Sequence, residues 1–245
     1  MSETQLLVGA VLIAAGFVRG AVGFGDALLA MPLLALLIPV QSAAPLVAMT
    51  GLLIAIVILF KEWRHIEFQT TLVLTTCGLL AIPVGVWILK FGNEQIVKPI
   101  LACVVIVYSI WSLWRPTSLE LKSDKLAPVF GIAAGLLGGA YNTSGPPLVI
   151  YGTLRRWPQQ QLRAMLQAYC LIGSIWIVCN HSLHGLLTLS LLKQFATAAP
   201  LIVAATSLGQ FITRDLPRQK FAAWVNFSLL ISGAILLLSC LNASG

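Results

Sequence analysis

Two charged residues stand seven positions apart inside a long apolar stretch near the start of the chain, GFVRGAVGFGDALLAMPLL at residues 16–34. Arg19 is the only basic residue deep inside an apolar run, and Asp26 is the only carboxylate inside one. A charged side chain in such surroundings is costly unless it is paired or faces a cavity, so both residues are candidates for function. The planar fork of Arg19 suits an oxyanion such as a sulfonate, a sulfite or a carboxylate. The alternative is an ion pair that permanently joins Arg19 to Asp26.

Asp26 is also the obvious candidate for a proton-coupling group, although a permanent partnership with Arg19 explains it equally well. A second stretch, GIAAGLLGGAYNTSGPPLV at residues 131–149, carries uncharged donors and acceptors beside two consecutive prolines. Asn142 or Ser144 there could cap a half-helix or contact a ligand, and both roles can coexist. Glycines in both stretches expose backbone N–H groups, and a helix N-terminus that faces a cavity favours an anion.

These residue types define two sets of candidate site residues. The predicted substrate-binding set is Arg19, Gly20, Gly23, Gly25, Asp26, Tyr141, Asn142, Thr143, Ser144 and Gly145. The predicted gating or vestibule set is Pro32, Pro146, Pro147, Tyr151, Arg163 and Gln167. Arg163 could instead extend to the lipid headgroups, as arginines near helix ends do. The spacings Gly16-xxx-Gly20 and Gly131-xxx-Gly135 also favour close helix packing, which is the expected role of those four glycines.

The rest of the chain must hold these residues inside a membrane. Of its 245 residues, 58% are hydrophobic and 9% are charged, and the mean hydropathy is +0.93. Unbroken apolar runs of this length indicate membrane helices, because a barrel strand shows only about ten residues of alternating polarity. The sequence therefore predicts an all-α, polytopic membrane protein. The eight apolar segments are 6–38, 43–60, 68–89, 96–114, 126–154, 162–180, 189–212 and 221–241.

Several function classes and features are not expected. The net charge of +7 is scattered over short connections, which favours topology and lipid headgroups as its role and argues against nucleic acid. The start of the chain lacks a basic flank, so a cleaved signal peptide is not expected. The five cysteines are expected to be small buried residues, and His181 and His184 to flank a neutral outer loop. Neither a metal nor another cofactor is expected, and no catalytic or nucleotide-binding motif indicates an enzyme or an ATP-driven pump.

An internal repeat appears when the sequence is shifted by 115 positions. Both copies open a set of four apolar segments, and each opening segment is the longest of its half. The shift predicts a duplication, with a first membrane repeat at 1–115, a cytoplasmic connector at 116–125 and a second repeat at 126–245. The aligned pairs are Gly16 with Gly131, Gly20 with Gly135, Gly23 with Gly138, Pro32 with Pro147 and Leu33 with Leu148.

The length of the opening segments predicts that they do not cross the membrane once. Segment 6–38 would measure roughly 50 Å as one helix, against a bilayer core of about 30 Å, and glycines and prolines favour a break in both copies. If both segments are re-entrant, eleven Lys and Arg residues are cytoplasmic and three are outside. With eight simple transmembrane helices, the alternative, the best count is eight against six. The first count fits the positive-inside rule better and predicts inverted repeats, each a broken or re-entrant hairpin plus three transmembrane helices.

The sequence also resembles a known family. The glycine-rich first segment ending in LLAMPLL, its second copy GLLGGAYNTSGPPLVIY and the eight-segment length are similar to the TauE/SafE sulfite exporter family, also called TSUP. The resemblance implies a multi-pass secondary transporter of the bacterial inner membrane for small sulfur-containing anions such as sulfite, sulfoacetate or related organosulfonates. It also implies that the two glycine-rich hairpins form the substrate region. Asp26 stands where the family is expected to have a small or neutral residue.

The preferred interpretation is a secondary anion transporter that works by alternating access between its two halves. The expected partners are a small anionic substrate and membrane lipids, while proton or ion coupling and a homodimer are left open. One alternative is a transporter or channel for another small anion, such as a carboxylate, or a membrane-scaffold component. An intramembrane enzyme is the remaining alternative, and it would need a buried nucleophile with a base.

Overall fold

The structure, a computed structural model, describes residues 3–62, 67–114, 120–212 and 218–243. Within these ranges the chain forms ten α-helices and no strand, which confirms the all-α prediction. The predicted boundary at residue 115 lies outside the described residues. The helices are α1 (Glu3–Val22), α2 (Asp26–Leu37), α3 (Val40–Glu62), α4 (Phe68–Phe91), α5 (Glu94–Trp114), α6 (Ala127–Tyr141), α7 (Gly145–Leu154), α8 (Gln159–Leu183), α9 (Leu189–Ile212) and α10 (Arg218–Ala243).

Both long opening segments are broken near the predicted stretches. In the first, Gly23 and Gly25 have φ values of 95° and 97°, which a residue with a side chain adopts only with strain, so α1 ends and α2 begins. In the second, Asn142 ends α6 with φ 57°, and Pro146 lies in the first turn of α7, where proline is tolerated. Pro32 lies inside α2. Glycines, and not Pro32, therefore end the first helix.

The two breaks lie in a different register from the 115-residue shift. The helix ends Val22 and Tyr141 are 119 positions apart, as are the helix starts Asp26 and Gly145. Gly138, which the shift pairs with Gly23, consequently lies inside α6.

Among the described residues, six helices are long and apolar enough to cross a membrane: α1, α3, α4, α5, α8 and α9. Their outward faces expose large apolar side chains, among them Phe68, Leu80, Trp87 and Phe211, as expected where lipid surrounds the protein. The 20 residues of α1 measure about 30 Å, the thickness of the bilayer core.

The most extensive helix contacts each join one of the first five helices to one of the last five. Helix α1 packs on α9 and α6 packs on α4, while α3 packs on α8 and α5 on α10. If α1–α5 correspond to α6–α10 in order, the α1–α9 contact corresponds to the contact between α6 and α4. The α3–α8 and α5–α10 contacts then each correspond to themselves. This symmetry supports the predicted duplication. The opposite membrane orientation of the two halves stays a prediction.

Glycines allow close contact between α1 and α9 and between α6 and α4. A Cβ atom at Gly20 would lie 2.1 Å from the Thr206 carbonyl oxygen of α9, and one at Gly135 would lie 2.2 Å from the Gly78 carbonyl oxygen of α4. Such distances leave no room for a methyl group, so the helices touch through their backbones. The expected packing role of Gly20 and Gly135 is confirmed.

The connector between the halves contacts the end of α7. The Leu121 amide donates to the Leu154 carbonyl at 2.8 Å, and Arg155 Nε lies 3.0 Å from the Asp124 carboxylate. The connector directly precedes α6, so the start of α6 and the end of α7 lie side by side. This arrangement favours a hairpin of α6 and α7 that returns to the side of the membrane from which it enters, rather than a segment that crosses the membrane once.

The topology can be tested with single cysteines in a cysteine-free background. We expect a membrane-impermeant maleimide added to intact cells to label Gln95→Cys and Gly185→Cys, because these positions lie on the predicted outer side. Ser123→Cys in the connector is expected to be labelled only after the membrane is permeabilised. Labelling of Ser123→Cys in intact cells would support eight simple spans and contradict the inverted repeat.

Two expectations about individual residue types are wrong. Cys103 and Cys179 are exposed on the outward faces of their helices, whereas Cys77, Cys170 and Cys240 are half-buried. His181 belongs to α8 and has no exposed surface. Only His184, which ends that helix, occupies the expected position at the loop.

Candidate functional site

The candidate site is built around the guanidinium of Arg19. Its Nη1 lies 2.9 Å from the Asp26 carboxylate, and its Nη2 donates to the Gln167 side-chain oxygen at 3.0 Å. The Gln167 amide nitrogen donates in turn to the Gly23 carbonyl at 2.6 Å. Arg19 is 4% exposed, Asp26 5% and Gln167 0%. The structure thus contains the Arg19–Asp26 ion pair foreseen as one of two alternatives, and adds Gln167 to it.

The first helix break positions this network. Arg19 lies in the last turn of α1, and Asp26 is the first residue of α2. The turn at Gly23 and Gly25 folds α2 back on α1, so residues that a continuous helix would place two turns apart come into contact. The Asp26 side chain also lies at the N-terminus of α2, where the helix dipole attracts negative charge.

A small polar cavity adjoins the ion pair. Its volume is about 20 Å³, which is room for about one water molecule. The second hairpin contributes Asn142 and Ser144 to its wall. The Asn142 amide also donates to the Ala44 carbonyl of α3 at 2.8 Å, and a Cβ at Gly138 would lie 2.3 Å from Ser144 Oγ. The two helix breaks therefore meet at one cavity, as predicted for Arg19, Asp26, Asn142 and Ser144.

A larger vestibule lies on the other side of the network. Its volume is about 280 Å³, and its wall includes Phe24, Trp111, Trp157 and Arg163. A Cβ at Gly23 would lie 2.9 Å from Arg163 Nε, so the first break directly adjoins this wall. The vestibule is formed by the end of α5, the end of α7 and the start of α8, which is the connector side of the protein.

Other predicted site residues lie outside the cavity wall. The Tyr141 hydroxyl donates to the Val97 carbonyl of α5 at 2.9 Å, and Thr143 contacts the Leu137 carbonyl. Tyr151 donates to Asp124 of the connector. Gly20 faces α9.

The prolines and the remaining glycine occupy helix starts or interiors. Pro146 and Pro147 are buried in the first turn of α7, and Pro32 is buried within α2. Gly145 begins α7, where a Cβ would lie 3.9 Å from the Phe24 ring. Pro32, Pro146 and Pro147 stay predicted gating residues.

Sequence reasoning missed the contribution of α8 and α3 to the cavity. Tyr169, Cys170 and Ser174 of α8 line it, together with Gly51 of α3. A Cβ at Gly51 would lie 3.6 Å from the Asp26 carboxylate. The signal that could have found the α8 residues is the recurrence of polar types at helical spacing after Gln167.

Comparisons with known proteins agree with this architecture. The family model described as "Sulfite exporter TauE/SafE" matches residues 8–236. The chain is 26% identical over 244 residues to the "Probable sulfite/organosulfonate exporter TauE" of Cupriavidus necator, and the match covers 96% of this chain and 94% of that protein. No solved structure matches the chain. Its membrane-spanning helices and its similarity to this bacterial protein fit a multi-pass membrane transporter of the bacterial inner membrane. A chain matched over nearly its whole length, with two broken helices around a buried arginine, belongs to the TauE/SafE sulfite exporter family.

Proposed function

We propose that the protein is a secondary transporter for sulfite or a small organosulfonate such as sulfoacetate, and that it works by alternating access. The observation that carries this proposal is a buried arginine whose fork faces the meeting point of two broken helices. The family and the name of the similar C. necator protein support the class of substrate.

The donors around the cavity suit an oxyanion. Arg19 Nε has no hydrogen-bond partner among the described residues, which leaves it free to donate to a ligand. The N-terminus of α2 offers backbone N–H groups that a helix cannot satisfy itself. Pro146 and Pro147 lack backbone N–H groups, so the N-terminus of α7 has two fewer donors. Asn142 and Ser144 supply neutral donors on that side instead.

The Asp26 carboxylate occupies the position that we assign to the anion. With room for only about one water, the cavity of about 20 Å³ cannot hold a sulfonate while Asp26 is paired. The incoming anion therefore replaces the carboxylate at the guanidinium, and the arginine remains paired in both states. This exchange keeps the Arg19 charge paired, but it leaves the Asp26 carboxylate without its partner.

The structure is open toward one side of the membrane. The vestibule involves Tyr108 and Trp111 near the end of α5, whereas the hydrogen bond from Tyr141 reaches Val97 near the start of the same helix. On that second side, Tyr141 and Ala44 are buried and Asn142 is bonded to Ala44. In an alternating-access cycle, the bonds of Tyr141 and Asn142 are the ones that open next.

Ligand-induced stabilisation tests the proposal. We expect sulfite or sulfoacetate to raise the thermal midpoint of the purified protein, because a ligand at a hundred times its dissociation constant stabilises the folded state by about 2.7 kcal/mol. Taurine, sulfate and acetate serve as comparison ligands in the same thermal-shift measurement. A response to acetate alone would point to a carboxylate transporter, and a response to none of the five would contradict the proposal.

A further inference from the structure

One face of α8 carries a line of residues that runs nearly the length of the helix. They recur every three or four positions and fall within an arc of about 80° at 3.6 residues per turn. From first to last they cover about 27 Å of helix, close to the thickness of a bilayer core. We name this line the α8 stripe, and its members are Arg163, Gln167, Cys170, Ser174, Ile177 and His181.

The α8 stripe passes through every part of the candidate site in order. Arg163 lines the vestibule, and Gln167 binds Arg19 at 3.0 Å. Cys170, Ser174 and Ile177 then line the cavity. A single helix face thus connects the vestibule, the ion pair and the cavity.

The opposite face of α8 is turned outward. Ile172, Ile175 and Trp176 are 45%, 48% and 40% exposed, and Cys179 is exposed as well. These side chains face lipid, so the α8 stripe faces the interior of the protein.

His181 continues the α8 stripe one turn beyond the cavity. Its side chain is 0% exposed, and neither ring nitrogen has a hydrogen-bond partner among the described residues. The backbone of Gly139 in α6 and the ring of His184 lie nearby, but no hydrogen-bond geometry is met. A buried polar group without a partner is unfavourable, and an apolar residue would fill the same space more cheaply. Packing therefore does not explain a histidine at this position.

Ile177 separates His181 from the cavity. It is buried in a small apolar cluster with Ala48, Ile82 and Val86. This cluster closes the cavity on the side away from the vestibule. Polar groups consequently stand on both sides of a single apolar layer.

We propose that the anion crosses the membrane along the α8 stripe, and that His181 is a second binding station for its oxyanion on the outer side of Ile177. This inference rests on the proposed function. A ring N–H of His181 donates to the oxyanion after the apolar cluster opens, and the anion supplies the hydrogen-bond partner that the ring lacks in the closed state.

The first test replaces His181 with leucine, which fills the space and removes the ring donor. We expect the uptake of radiolabelled sulfite into proteoliposomes to fall at least about tenfold, the value of one good hydrogen bond. The thermal midpoint is expected to stay the same or rise, and the sulfite-induced thermal shift is expected to persist, because Arg19 is untouched. His181→Asn restores part of the flux, and the control Cys179→Leu on the outward face leaves it unchanged.

The second test does not depend on the role of the imidazole. In a background whose native cysteines are replaced by alanine, His181→Cys should react with an impermeant maleimide applied from outside during transport of sulfoacetate, and sulfoacetate should slow the reaction. A cysteine restored at position 179 should show no slowing by sulfoacetate. Wild-type flux in His181→Leu, or no labelling of His181→Cys while flux continues, would overturn the inference. A wild-type protein that shows neither sulfite binding nor flux would overturn the proposed function instead.

Discussion

Replacing Arg19 with glutamine is expected to lower anion flux in proteoliposomes about a hundredfold or more. The guanidinium makes two hydrogen bonds, one to the Asp26 carboxylate and one to Gln167, and we propose that the anion accepts from both outer nitrogens once it has displaced these two partners. Hydrogen bonds to charged groups contribute about 1.5–3 kcal/mol each, and every 1.4 kcal/mol or so is a factor of ten in affinity. The measurement is the initial rate of radiolabelled sulfite uptake at matched protein content.

The Arg19 variant needs two controls, because it also leaves the Asp26 carboxylate buried without its partner. In the double variant Arg19→Gln with Asp26→Asn, both members of the ion pair are neutral and similar in shape, so folding is expected to be preserved while flux stays low. Arg19→Lys keeps the charge but loses the fork, and an intermediate flux is expected. Wild-type flux in the double variant would contradict the assignment of Arg19 as the substrate ligand.

Replacing Gly20 or Gly135 with alanine is expected to cause the largest loss of stability among conservative substitutions in the hairpins. The added Cβ would lie 2.1 Å from the Thr206 carbonyl oxygen or 2.2 Å from that of Gly78, so the packed helices must separate. Overpacking of this kind typically costs about 1–3 kcal/mol and occasionally more, which corresponds to a decrease of roughly 2–12 °C in thermal midpoint for a chain of this size. Differential scanning fluorimetry in detergent measures the change.

Gly9 provides a matched control on the same helix as Gly20. A Cβ at Gly9 would meet nothing within 4 Å. Gly9→Ala is therefore expected to leave the thermal midpoint unchanged or to raise it slightly, because alanine favours a helix by roughly 0.5–1 kcal/mol over glycine. Equal midpoints for Gly9→Ala and Gly20→Ala would show that the α1–α9 contact is looser than the structure has it.

Local sequence was sufficient to predict the helices and their breaks, and it gave the Arg19–Asp26 ion pair as one of two alternatives. Apolar runs longer than a bilayer core require helices, since lipid offers no hydrogen-bond partners to a backbone. Gly23 and Gly25 predicted the first break because the chain there needs positive φ, and the same turn joins Arg19 to Asp26. These features depend on residues fewer than ten positions apart. The duplication stays a prediction, and the two helix breaks lie 119 positions apart, four more than the shift that predicted it.

Residues far apart in the chain were brought together only by helix packing. Gln167 stands 148 positions from Arg19, and the polar spacing on α8 does not indicate which helix that face contacts. That face is decided by close contacts such as Gly20 on α9 and Gly135 on α4, which fix the arrangement of the helices around the two hairpins. The same packing places Cys170 and Ser174 in the cavity wall. It also buries His181, which was expected to flank an outer loop. The sequence by itself thus determined that helices break beside buried charges, because backbone breaks and buried charges are local properties. The tertiary structure decided which side chains complete the site and along which helix face an anion would pass.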